Sequence, residues 1–260
     1  MFDFLFKSKR RAALRAKPFP ADWTAILAHT TPFTRLLSAD DLRELEGHVQ
    51  VFLAEKSFEG CGGLELTDEM RVTIAAQACV LLLHRDCDVF PTLDTILVYP
   101  HAFVSPVKRR DATGVVTEEQ SPRQGESSQR GMVVLAWDHV LRGAASMHDG
   151  HNVVFHEFAH QLDAEDGAME GAPVLSQRGH YASWAHVLGD EYTELVARVE
   201  KHRKGDLDGY GATSPAEFFA VVTEAFFEQP KGLKKKHPEL YAELAAFYRQ
   251  DPSEWTARRD

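Results

Sequence analysis

The segment Val153-Val154-Phe155-His156-Glu157-Phe158-Ala159-His160-Gln161-Leu162-Asp163 constrains this chain more than any other. Its core, His156-Glu157-x-x-His160, is the pattern of a metal-binding helix that carries its own base. Histidines four apart stand one above the other on a helix, with β-carbons roughly 5–6 Å apart. Two imidazoles so placed can share one tetrahedral zinc at about 2.0–2.1 Å each. Glu157 falls roughly 100° further round, beside the ion, where it can take a proton from a bound water instead of ligating. The flanking residues agree with a helix. Val154, Phe155, Phe158, Ala159 and Leu162 form a stripe to be buried, while Val153, His156, His160 and Asp163 share another face. Asp149 or Asn152 can cap the start, and Gly167 lies just past a plausible end.

A zinc site of this kind needs a third protein ligand, with the fourth position left to water. The richest later segment is Tyr210-Gly211-Ala212-Thr213-Ser214-Pro215-Ala216-Glu217, which runs on into Phe218–Phe227. Ser214 and Pro215 read as N-cap and first helical residue, and Glu217 completes a capping-box spacing. Capping is thus one reading of Glu217. The other is metal ligation: Phe218, Phe219, Val222, Phe226 and Phe227 mark a buried helix, and a buried carboxylate needs a strong partner. Glu224 lies two turns further along the same face. It is either the carboxylate that orients a ligand histidine or an ordinary helix glutamate.

The stretches GHNVVFHEFAHQLD and YGATSPAEFFAVVTEAFFEQP resemble the Mlc titration factor A family of bacterial zinc-dependent peptidases, whose catalytic fold is similar to the zinc domain of anthrax lethal factor. The resemblance runs roughly from Pro18 to Pro252. It implies one Zn2+ per chain held by His156, His160 and Glu217, with Glu157 as general base. It also implies that Tyr210, seven residues before Glu217, steadies the oxyanion. Peptidases with a glutamate as third ligand usually carry an acidic residue four positions after it. Here that position is Val221, so the partner of the first histidine falls to Glu224 or Asp163. The activity implied is aminopeptidase-type cleavage of small peptides, together with sequestration of a Mlc-like glucose repressor. The alternative is a non-catalytic regulator that acts by repressor binding alone. An aminopeptidase needs an acidic group for the substrate's amino terminus; Glu165 and Asp166 are candidates among others.

Composition narrows the setting. With 260 residues and 44% hydrophobic content the chain can bury a sizeable core, and its formal charge of −10 disfavours direct nucleic-acid binding. No apolar run of about 20 residues suggests a membrane span. Cys61, Cys79 and Cys87 are odd in number and lack C-x-x-C spacing; with no export signal they read as free thiols in a reducing cytoplasm. A structural zinc site would be richer in cysteine.

Along the chain, residues 1–19 read as a flexible apolar-then-basic tail and 20–260 as a single peptidase domain. Within it, 20–90 is the helical N-terminal part and 91–260 the catalytic part. Asp40–Phe52 and Thr67–Leu83 are helical, the second opening at a Thr67/Asp68 cap. Strand signals follow at Thr95–Tyr99, Gly114–Thr117 and Met132–Trp137, with the polar stretch Glu118–Gly131 expected as a mobile hairpin or lid. Further helices are expected near Tyr181–His202 and from Pro238. Lys234–His237 is a charge run, either a solvated face or a docking patch. The fold class is α+β: a zincin-like metallopeptidase, mostly helical, with a small mixed sheet beside the zinc helix. The resemblance favours Met132–Trp137 as the sheet edge that holds extended substrate; a buried central strand is the other reading.

Overall fold

In the computed structural model, residues 2–86, 88–110, 116–123, 125–128, 131–146 and 148–255 are described. Three helices open the chain: α1 (Phe2–Arg15), α2 (Ala21–Thr30) and α3 (Ala39–Glu55). Strand β1 (Ser57–Gly60) and helix α4 (Asp68–Val80) follow, with Thr67 Oγ1 accepting the Met70 N–H as the expected cap. Then come β2 (Thr95–Tyr99), β3 (Phe103–Arg110), β4 (Val116–Arg123), β5 (Gly125–Ser128) and β6 (Met132–Ala136). The remainder is helical: α5 (Trp137–Ala145), α6 (Val153–Asp163), α7 (His180–Glu200), α8 (Pro215–Glu228), α9 (Pro230–Lys236) and α10 (Pro238–Tyr248).

The main sheet has the order β1-β2-β6-β5. β1, β2 and β6 are parallel, in register at Ser57↔Thr95 and Thr95↔Met132. β5 is antiparallel to β6, pairing Gly125↔Leu135 through Ser128↔Met132. The sheet is therefore mixed, as expected, and α6 lies against β5 and β6. β3 and β4 pair antiparallel as a separate ribbon, from Phe103↔Arg123 to Arg110↔Val116.

Four sequence expectations are revised here. Met132–Ala136 is no free edge, because β2 and β5 take both of its sides; the outer strands among the described residues are β1 and β5, and β5 is the one beside it. Glu118–Gly131, expected as one mobile hairpin or lid, instead supplies strands to two separate pairings, β4 with β3 and β5 with β6, while residues 124, 129 and 130 lie outside the described ones. Ser57–Gly60, inside a region read as wholly helical, is a strand. The stretch read as a tail contains α1, whose Arg11 holds Glu55 through Nε and Nη2 at 2.7 and 2.5 Å and also pairs with Asp88. A bidentate guanidinium–carboxylate pair fixes orientation as well as contact. Of the strand expected at Gly114–Thr117, Val116 and Thr117 begin β4, and Gly114 and Val115 lie outside the described residues.

The core is one continuous cluster. Phe52 of α3, Phe90 and Phe158 of α6 meet in its middle, with Phe90 and Phe158 edge-to-face at 4.8 Å between centroids. Phe155 packs on Phe227 of α8 at 5.3 Å. Val154, Phe155, Phe158, Ala159 and Leu162, the stripe expected to be buried, are all buried, so α6 runs through the centre of the molecule. Cys79 is a buried free thiol and Cys61 a half-buried one, while Cys87 is outside the described residues. The Lys234–His237 run is largely neutralised internally: Lys234 pairs with Asp251, Lys236 with Asp206, and His237 with Glu191 and Asp206. No helix among the described residues is long and apolar enough to cross a membrane.

Candidate metal centre

Asn152 starts the site. Its side-chain oxygen accepts the N–H groups of Val154 and Phe155, both at 3.1 Å, and so caps α6. Its amide nitrogen donates to Gln77 of α4 at 2.9 Å and to Glu228 of α8 at 3.2 Å. Its backbone N–H donates to Glu224 at 2.5 Å. One buried asparagine thus fixes the first turn of α6 to two other helices.

From that turn His156 and His160 project on one face, their ring centroids 4.9 Å apart. α8 brings Glu217 opposite them. His156 Nε2 lies 2.9 Å and His160 Nε2 3.3 Å from the same oxygen, Glu217 Oε2. The three side chains offer ligand atoms all within 4.8 Å of one another. Ser214 does cap α8, but it does so by accepting the backbone N–H of Glu217 at 3.2 Å. The cap uses the main chain and leaves the carboxylate free, so the two readings of Glu217 are compatible.

Glu224 sits behind His156, its Oε1 2.7 Å from Nδ1. A proton on Nδ1 donated to Glu224 leaves Nε2 as a lone pair aimed at a carboxylate oxygen. Two acceptors facing each other at 2.9 Å are repulsive unless a proton or a cation lies between them. The donor set, two imidazoles and a carboxylate, is that of a catalytic zinc site, and its chemistry fits the ion. Burial opposes charge on His156, yet its hydrogen bonds to Glu217 and Glu224 hold its pKa well above the usual imidazole range. Burial likewise works against the Glu217 carboxylate, and the two histidines nevertheless keep it well below its ordinary value.

Glu157 is 5% exposed, and its Oε2 is buried without a partner among the described residues. Burial pushes its carboxyl up to about 7 against the pull of His156 and His160. Tyr210 lies on a 3-10 turn, Gly209–Thr213, whose start is fixed by Asp208 accepting the Tyr210 N–H at 2.9 Å. Its ring centroid is 5.9 Å from that of His156, and the residue is half exposed. Asp163, the other candidate for His156, instead accepts the Gly171 N–H at 2.8 Å. Glu165 is turned away into a separate cleft with Arg85 and Trp184.

Sequence reading missed Glu228 and Gln77 and saw Asn152 only as a possible cap. A signal did exist for Glu228: Glu217, Glu224 and Glu228 fall at i, i+7 and i+11, one face of α8. Glu228 is 1% exposed, and burial, with Asp149 and Glu224 nearby, raises its carboxyl to about 9 despite the bond from Asn152. The fold therefore binds a proton there that the unfolded chain releases near 4.5. That contribution is complete below the ordinary carboxylate range and is lost as pH rises toward 9, by at most about 1.4 kcal/mol per pH unit. Glu228→Gln should match wild type in denaturant melts near pH 5 and exceed it increasingly up to pH 9. An unchanged pH slope would show that Glu228 is ionised at neutral pH.

The chain matches the model of a family described as glucose-regulated metallo-peptidase M90 over residues 5–249. It is 46% identical over 245 residues to an uncharacterized protein of Synechocystis sp., covering 94% of this chain and 89% of that one. It is 32% identical over 233 residues to Mlc titration factor A of Klebsiella pneumoniae, covering 88% and 86%. To Mlc titration factor A of Salmonella arizonae it is 30% identical over 237 residues, covering 90% and 93%.

Proposed function

The chain belongs to the glucose-regulated metallo-peptidase family M90, and from that premise we propose that it is a zinc-dependent peptidase of aminopeptidase type that works in the cytoplasm. The observation that carries this reading is the convergence of His156 Nε2, His160 Nε2 and Glu217 Oε2 beside the buried Glu157 carboxylate, whose Oε2 has no partner among the described residues. A purely structural ion would have no need of that base.

In this reading His156, His160 and Glu217 hold one Zn2+, which would acidify a bound water and polarise the scissile carbonyl. Glu157 accepts the proton of the attacking water and returns it to the leaving amine. Its burial keeps it poised near neutrality rather than permanently ionised. Tyr210 donates a hydrogen bond to the oxyanion from the side of the His156 ring. Glu224 orients His156, and Asn152 in turn holds Glu224. An extended peptide would add to the open edge of β5, the strand next to α6. We take the architecture as zincin-like and residues 20–260 as one domain, with 20–90 as its helical support and 91–260 carrying the chemistry.

A second role is suggested by the names of two relatives, Mlc titration factor A: binding of a Mlc-like repressor, with or without peptide cleavage. Metal content and turnover of alanine p-nitroanilide, measured on the purified protein before and after chelation, test the enzymatic reading. About one zinc per chain is expected, with turnover abolished by the chelator and restored by zinc. Undiminished turnover by zinc-free protein would refute it.

A further inference from the structure

Between the segments that follow α4 and α6, the start of α7, and α10 lies a cavity of about 310 Å³. None of the residues that line it belongs to the histidine–glutamate cluster. Its charged walls are mostly engaged elsewhere. Asp88 is paired with Lys7 and Arg11, Glu243 accepts from Ser183, and Arg249 donates to the His84 carbonyl at 3.1 Å. Asp86 lies at the exposed rim and His180 at the start of α7, and two opposite charges remain inside. Arg85 is spread over the ring of Phe247, its guanidinium carbon 4.1 Å from the centroid, and its Nη1 is buried without a partner. Glu165 Oε1 is also buried without a partner among the described residues. Burial raises the Glu165 carboxyl, and Arg85 pulls it back, so the two groups feel each other without closing into a bond.

Leaving both atoms desolvated and unpaired is costly, and the choice of ligand follows from that. A simple anion would satisfy Arg85 and strand Glu165. A simple cation would do the reverse, and an apolar ligand would strand both. Trp184, Phe247, Val174 and Leu175 give the cavity an apolar side, and Ser176 and His180 add polar lining. We propose that this cavity binds a free neutral α-amino acid, its carboxylate on Arg85, its ammonium on Glu165 and its aliphatic side chain against Trp184 and Phe247. The cavity volume lies at the small end of ligand sites, which suits a ligand of that size.

Calorimetric titration of the purified full chain with L-leucine, N-acetyl-L-leucine and L-leucinamide tests this. Leucine should bind once per chain, and each singly charged analogue should bind about tenfold more weakly or worse, since each leaves one buried charge unpaired. Arg85→Gln and Glu165→Gln, checked for an unchanged far-ultraviolet circular dichroism spectrum, should each weaken leucine by a similar factor. His160→Ala should bind leucine as wild type does. Three results would overturn the proposal: no leucine binding up to about 50 mM, equal binding of the analogues, or loss of binding in His160→Ala with both cavity variants unaffected.

Discussion

Glu157→Gln should retain about one zinc per chain while peptide turnover falls by roughly three orders of magnitude, within the range that general acid–base groups supply. The substitution keeps shape and volume in a site where the side chain is 5% exposed, so packing is preserved. What it removes is the ability to accept a proton, and the two carboxylates that contact the histidines are already engaged. Glu217 faces both histidines, and Glu224 is held by His156 and Asn152. A control for misfolding comes with the same variant. Burial holds the wild-type carboxyl near 7, so the metal-free protein loses stability as pH rises through that value. Glutamine carries no such charge, so metal-free Glu157→Gln should melt no lower than wild type at pH 8. A variant with near-normal turnover would remove Glu157 from the mechanism.

His160→Ala should lose both metal and turnover. Loss of an orienting partner such as Glu224 typically weakens metal binding about 10–100-fold, and loss of a ligand itself should exceed that. Glu224→Gln is therefore the informative comparison, since it disturbs His156 Nδ1 and leaves all three ligand atoms in place. Zinc should raise the melting temperature of wild type by mass action, of Glu224→Gln only at higher concentration, and of His160→Ala hardly at all. Stoichiometric zinc in His160→Ala at submicromolar metal would mean that the histidine pair is not the anchor.

The parts of the site that the sequence made legible are those specified by local spacing. The His156/His160 face, the buried stripe of α6 and the Ser214–Pro215 start of α8 each follow from helix periodicity or capping, and each is found in the structure. The parts that stayed hidden depend on partners far along the chain. Asn152 reaches Gln77 and Glu228, 75 and 76 residues away, and no local pattern announces such a meeting. β1, with the sequence Ser-Phe-Glu-Gly, is a strand only because β2 pairs with it. β5 is polar and short, so β6 looked like an edge until the strand order was known. Residues 1–19 read as a flexible tail because the acceptors of Arg11, Glu55 and Asp88, lie far along the chain.

The bridging role of Asn152 has a consequence for how the molecule can be divided. Cutting before residue 91 would leave the ligands intact on paper, yet it would strip Gln77 from the asparagine amide and Phe52 and Phe90 from beneath Phe158. The opening turn of the histidine helix would lose an anchor, and its underside an aromatic floor. The first ninety residues therefore brace a cluster to which they add no donor atom, and a chain shortened to 91–260 would keep His156, His160 and Glu217 without the packing that aims them.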